Sequence, residues 1–169
     1  MALIRLNNQS LTSVTALPAG AGGNVLKAEI SEIATQSTRA SSSAYADDLD
    51  FGSFTPSATS STVLIYGVAY ADITYQKYLD YKWVIDGTDY VTGNGDCTMS
   101  IYNGVTNNSL SIIPCNIMTS VNNTDGSAIT AVCQIRTGNN GSSTIYINRS
   151  QDDTAAGPKS SVIFIEVAS

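Results

Sequence analysis

A chain of 169 residues is long enough for one domain with a sizeable core. Charged residues make up only 13% of it, and fourteen acids against eight bases give a net charge of −6, a surface that repels phosphate backbones and argues against nucleic-acid binding. Histidine is absent, which removes the commonest general base and metal ligand and sets aside the Ser-His-Asp hydrolases and the metal hydrolases.

The opening, MALIRLNNQSLTSVTALPAGAGG, is interrupted by polar residues too early for a secretory leader and is too polar for a membrane span. Residues 1–23 are therefore expected to stay on the protein as an arm, with no membrane as partner. Leu3, Leu6, Leu11, Val14 and Leu17 make this arm too apolar to be a solvated tail, and it is too short to bury them by itself. They are expected to dock on the body, a sister subunit or a larger assembly. Pro18-Ala19-Gly20-Ala21-Gly22-Gly23 can neither continue a helix nor pair well in a sheet, and it reads as a hinge.

From residue 24 to 169 the pattern is one domain of short strands. Candidates run over 25–33, 44–51, 62–70, 78–85, 97–102, 109–118, 129–136, 143–148 and 161–167, about eight or nine strands with no convincing helix. In 78–85, Leu79, Tyr81, Trp83 and Ile85 alternate with Tyr78, Asp80 and Lys82, followed by an Asp86-Gly87 turn. In 129–136, Ile129, Ala131, Cys133 and Ile135 alternate likewise and place Cys133 inward. Segments 62–70 and 161–167 are apolar on both faces, which suits strands covered on both sides or lying at a subunit contact. Turn signals between strands at this spacing indicate an all-β, antiparallel sandwich or barrel.

The residues that could carry chemistry are few. Asp47, Asp48 and Asp50 could ligate a hard cation but lack a calcium-loop pattern, so they are read as loop carboxylates. Cys97, Cys115 and Cys133 form no CxxC pair and are read as isolated thiols on separate strands, packed as small apolar groups. Catalytic, cofactor-binding and metal-binding residues are all expected to be none, and no cofactor is expected. Tyr66, Tyr70 and Tyr78 are freer than Tyr81 and Trp83, either for subunit packing or for a ligand. Asn148-Arg149-Ser150 reads as a turn whose arginine pairs with a nearby carboxylate.

Three stretches, LNNQSLTSVTALPAG, FTPSATSSTVLIYGVAY and STIYINRSQDDTAAGPKSSVIFIEVA, together resemble a family of virion-surface decoration and fibre proteins of tailed bacteriophages. Residues 86–128 depart from that pattern. The resemblance implies a compact antiparallel jelly roll of about eight strands, similar to trimeric tumour-necrosis-factor-like domains, behind a short extended arm. It further implies a homotrimer on the virion surface, assembled in the bacterial cytoplasm, with the major capsid protein as partner and with Tyr66, Tyr70 and Phe164 as candidate trimer contacts. The expected role is a capsid decoration, or cement, protein. The alternative is a short tail fibre, tail spike tip or head fibre adhesin, attached through a tail or baseplate protein and binding a host-surface glycan.

Overall fold

The computed structural model describes residues 24–40, 43–74, 77–91, 97–103, 112–138, 143–151 and 157–168. The arm residues Leu3, Leu6, Leu11, Val14 and Leu17 lie outside the described residues. Among the described residues there are eleven strands: β1 (Val25–Ile33), β2 (Ser37–Ala40), β3 (Ala46–Phe54), β4 (Ser61–Ile73), β5 (Lys77–Ile85), β6 (Thr88–Tyr90), β7 (Met99–Asn103), β8 (Ile113–Asn123), β9 (Ile129–Thr137), β10 (Thr144–Ile147) and β11 (Ser160–Ala168). All pairings are antiparallel.

Six of these strands form sheet A and five form sheet B. Several are collinear pieces of one longer strand. β10 and β11 lie end to end along the same edge of β4, at Ala71–Ile73 and Ser61–Val68. β1 and β2 lie end to end along β11 and β10. β6 and β7 do so along β5. Merging the pieces leaves two four-position sheets, β1/β2–β11/β10–β4–β8 and β3–β9–β5–β6/β7. Along the chain the merged elements alternate between the sheets except at β5 and β6/β7, which follow one another as neighbours in sheet B, and this is the strand order of a jelly-roll sandwich.

The core lies between the sheets. On β5, Leu79, Tyr81, Trp83 and Ile85 are buried, and on β9 Ile129, Ala131, Cys133 and Ile135 are buried, as alternation requires. Facing them, β4 presents Val63, Ile65, Gly67, Ala69, Ala71 and Ile73. The small residues in the middle of that series leave room for Trp83, whose ring lies under Gly67 and stacks on Phe51 at 5.5 Å. Phe54 stacks on Phe164 at 5.2 Å. Cys115 on β8 and Cys133 on β9 are both unbonded and buried, and they meet in this core. Cys115 and Cys133 lie on separate strands as expected but are not isolated, while Cys97 lies before β7, half-buried and not on a strand. Burial, then the neighbouring Cys115 side chain, push the Cys133 thiol well up, so it packs as a neutral group.

Asn148 and Ser160 stitch the break between β10 and β11. The Asn148 amide donates to Tyr70 O at 2.9 Å, and Tyr70 N donates to Ser160 Oγ at 2.9 Å. The Ser160 hydroxyl in turn donates to Asn148 Oδ1. Asn148 Nδ2 also reaches Ile33 O at 2.8 Å and Thr35 O at 3.1 Å, bridging β1 and β2 as well. Its φ of 54° is a left-handed angle that asparagine accepts more readily than most residues. The turn at 148–150 is as expected, and among the described residues Arg149 meets no carboxylate, Asp152 and Asp153 lying outside them. It donates to Ser150 O and Gln151 O and lies over the Tyr146 ring at 5.3 Å.

Gly157 abuts this junction, where a Cβ would fall 1.6 Å from the Asn148 carbonyl oxygen. Because that contact is to backbone, Gly157→Ala is expected to destabilise the fold by about 1–3 kcal/mol. A thermal melt within about 0.5 kcal/mol of wild type would show that the junction tolerates displacement.

Candidate functional site

The two outer faces of the sandwich differ in chemistry. Sheet B turns out ions: Lys82 pairs with Asp89 at 2.5 Å and Arg136 with Asp80 at 3.2 Å, and both cations lie over the Tyr45 ring, at 4.8 and 4.4 Å. Asp47 accepts from Gln134. That face is solvated in the ordinary way.

Sheet A turns out almost no charge. Its register places Ile30 opposite Ile163, Ile163 opposite Tyr66, and Tyr66 opposite Met118. These four side chains form one row across the whole sheet, exposed by 60%, 39%, 41% and 77%. The adjoining row is Ala28, Ile165, Leu64 and Ser120. Toward the other side lie Val68, Tyr70 and Pro114, with Glu32 at the rim already paired to Lys159. Shallow hollows flank Tyr66 on both sides. A wide exposed apolar surface marks an interaction site, and here it runs the full width of one sheet.

Of the three residues expected at a trimer contact, Tyr66 and Tyr70 lie on this outer face. Phe164 does not. It is 2% exposed and faces the core against Phe54, because on β11 the inward parity belongs to Val162, Phe164 and Glu166 while Ile163 and Ile165 face out. Sequence reasoning missed Ile30, Ile163 and Met118. Their signal exists only in the register, since a strand apolar on both faces does not reveal which parity points outward.

A cleft of about 540 Å³ opens beside β8, between the two sheets. Met99, Ile101, Tyr90, Pro114, Ile117 and Met118 line it, with Tyr81 at its base. Burial and the nearby Cys115 thiol push Tyr81 up to about 12, so its phenol stays protonated and serves as a hydrogen-bonding wall.

The acidic residues of β3 do not converge. Asp48 pairs with Arg39, and Asp50 accepts from Gly52 N at 2.8 Å. Among the described residues no three acidic or thiol groups could hold one metal ion, and no helix is long and apolar enough to cross a membrane.

No family model matches the sequence, and no curated protein matches it. Among solved structures the chain is similar to the crystal structure of the infectious bursal disease virus VP2 subviral particle. The identity is 17% and the TM-score 0.34, covering 86% of this chain and 38% of that one. At that distance the likeness adds nothing to what the strand order already establishes.

Proposed function

We propose that this chain is a non-enzymatic structural protein of a bacteriophage virion surface, a homotrimer that decorates and stabilises the capsid exterior. The virion setting rests on the resemblance of the three sequence stretches. The assembly rests on one observation, the uncharged row Ile30, Ile163, Tyr66 and Met118. A chain of net charge −6 repels its own copies unless they meet where charge is absent, and sheet A is that place. Three copies around a threefold axis would cover it, with Tyr66 and Tyr70 at the contact and the ionic face of sheet B turned to solvent. The major capsid protein is the partner, and residues 1–23 supply the tether. Binding energy for the assembled shell then opposes its expansion, as any ligand stabilises the state it prefers.

Size-exclusion chromatography with light scattering should give about three times 17.7 kDa. The double substitution Tyr66→Lys with Ile163→Lys should give a monomer with an unchanged circular dichroism spectrum. A wild-type monomer at micromolar concentration would remove the trimer.

A second reading, a glycan-binding adhesin on a tail or head fibre, is favoured by Tyr78 and Tyr102. This exposed ring pair, 4.8 Å apart, stands on the outer face of sheet B, which the trimer leaves open. Immunogold labelling of intact virions separates the two: gold over the head supports decoration, and gold confined to the tail supports the adhesin.

A further inference from the structure

Each sheet of the sandwich ends in exposed edges, and three of the four are guarded against pairing with another strand. β3 is interrupted twice, between Asp47 and Leu49 and between Asp50 and Ser53, and carries three aspartates. β1 is irregular between Val25 and Lys27 and carries Lys27, Glu29 and Glu32. The β6/β7 edge is broken between Tyr90 and Met99. Irregularities, charges and short edge strands are the usual devices against edge-to-edge association.

β8 has none of these, and its one guard is Pro114 at the start of the strand. It pairs with β4 over 11 consecutive residues without a shift, and its sequence, IPCNIMTSVNN, holds no charge. Tyr70 turns its own N–H and C=O to Ser160 and Asn148, away from β8, so by antiparallel alternation Pro114 opposite it and Asn116 opposite Val68 turn their backbone groups away from β4. By strand alternation the amides of Met118, Ser120 and Asn122 point the same way, and no described strand pairs with that edge. The apolar cleft holding Met99, Ile117 and Met118 lies directly beside it. A strand laid there would gain backbone bonds and drop alternate side chains into the cleft, the mode of recognition by strand addition.

We propose that the occupant is residues 6–17 of a second copy of this chain, added antiparallel to β8. The segment LNNQSLTSVTAL is uncharged like the edge it would meet, and it offers Leu11, Ser13, Thr15 and Leu17 on one side and Thr12, Val14 and Ala16 on the other. Chain length selects the second copy. The row Val25–Val167–Thr62–Asn122 shows that β1 starts level with the Asn122 end of β8. From there, the seven residues 18–24 span at most about 25 Å. They cover the roughly 19 Å to a strand position beyond β8 at its near end, which permits only a parallel strand from the same chain. An antiparallel strand, the more stable pairing, would require roughly 38 Å from the same chain. The proposal builds on the trimer only in placing copies near one another, and it makes a neighbouring copy, in place of the capsid protein, the acceptor for residues 6–17: decorations would be cemented to each other.

The test titrates a fluorescent synthetic peptide of residues 6–17 into the full-length chain and follows anisotropy. Two further peptides carry backbone N-methyl groups on residues 11, 13 and 15, or on 12, 14 and 16. The expected result is binding that one methylated set weakens at least tenfold and the other leaves within about twofold, because only one set of amides faces β8. The apparent affinity should also weaken as protein concentration rises and neighbouring arms fill the edge. No binding, equal tolerance of both methylated sets, or an affinity independent of protein concentration would each overturn the proposal, the last by assigning the edge to the chain's own arm. Light scattering on the same samples reads the sheet A contact separately.

Discussion

Trp83→Ala is expected to lower stability by about 3–5 kcal/mol, a fall of roughly 10–15 °C in melting temperature for a domain of this size. Trp83 is fully buried, stacks on Phe51, and donates from Nε1 to the Cys115 carbonyl at 3.3 Å. It thereby ties β5 in sheet B to β8 in sheet A. The site that receives it is a gap in β4, where a Cβ on Gly67 would come within 2.8 Å of the indole and 2.9 Å of Ile117. Gly67→Ala alone should therefore cost about 1–3 kcal/mol, although alanine otherwise suits a strand better than glycine. In a Trp83→Phe background the smaller ring frees that space, and the penalty for Gly67→Ala should fall by at least about 1 kcal/mol. Additive effects in chemical denaturation would show that Gly67 is not there to make room for the indole.

How much of this was legible beforehand follows from the same residues. The alternation around Trp83 and Cys133 reads as two half-buried strands because each has one polar face, and both are found at Lys77–Ile85 and Ile129–Thr137. The Asp86-Gly87 turn is present, with φ of 49° and 72°. The segment expected at 109–118 overlaps β8 at Ile113–Asn123, which runs further because Asn and Ser on a solvated edge blur its end, while residues 109–111 lie outside the described residues. β2 and β6 were not anticipated. They span only four and three residues and are fixed by the strands they extend along, not by local pattern. The candidate site was half legible: Tyr66 and Tyr70 could be named because 62–70 is apolar on both faces. The row that gives them meaning joins positions 30, 66, 118 and 163, and only the pairing register assembles it.

Register also joins two of the stretches noticed separately in the sequence. The Pro-Ser-rich segment before β4 and the final strand meet at Glu166. This fully buried carboxylate accepts from Ser57 N at 2.8 Å and Ser57 Oγ at 2.6 Å through one oxygen, and from Ala58 N at 3.0 Å and Ser61 Oγ at 2.8 Å through the other. Asn123 extends the cage, donating to Ala58 O and Ser61 Oγ and accepting from Gly126 N, whose φ of 79° makes the turn into β9. One acid thus fixes the crossover from sheet B to sheet A and one end of the sandwich.

Glu166→Gln should accordingly lower the melting temperature by on the order of 10 °C at neutral pH, because its amide nitrogen would face the backbone N–H of Ser57 or of Ala58 and leave it unpaired in the interior. The pH dependence distinguishes this from a packing defect. Burial works to raise the Glu166 pKa, but the donors on Ser57, Ser61 and Ala58 outweigh it and hold the carboxyl down to about 2, from an ordinary value of 4.5. A depressed folded-state pKa contributes stability that is fully present above the unfolded value and is lost as pH falls through the folded one. The gap in melting temperature between wild type and Glu166→Gln should be constant from pH 7 to about 5 and narrow between about 4.5 and 2, while the other carboxylates titrate in both proteins and cancel. A gap that keeps its full size down to pH 2 would mean that the glutamine fails through shape and that the charge of Glu166 holds nothing in place.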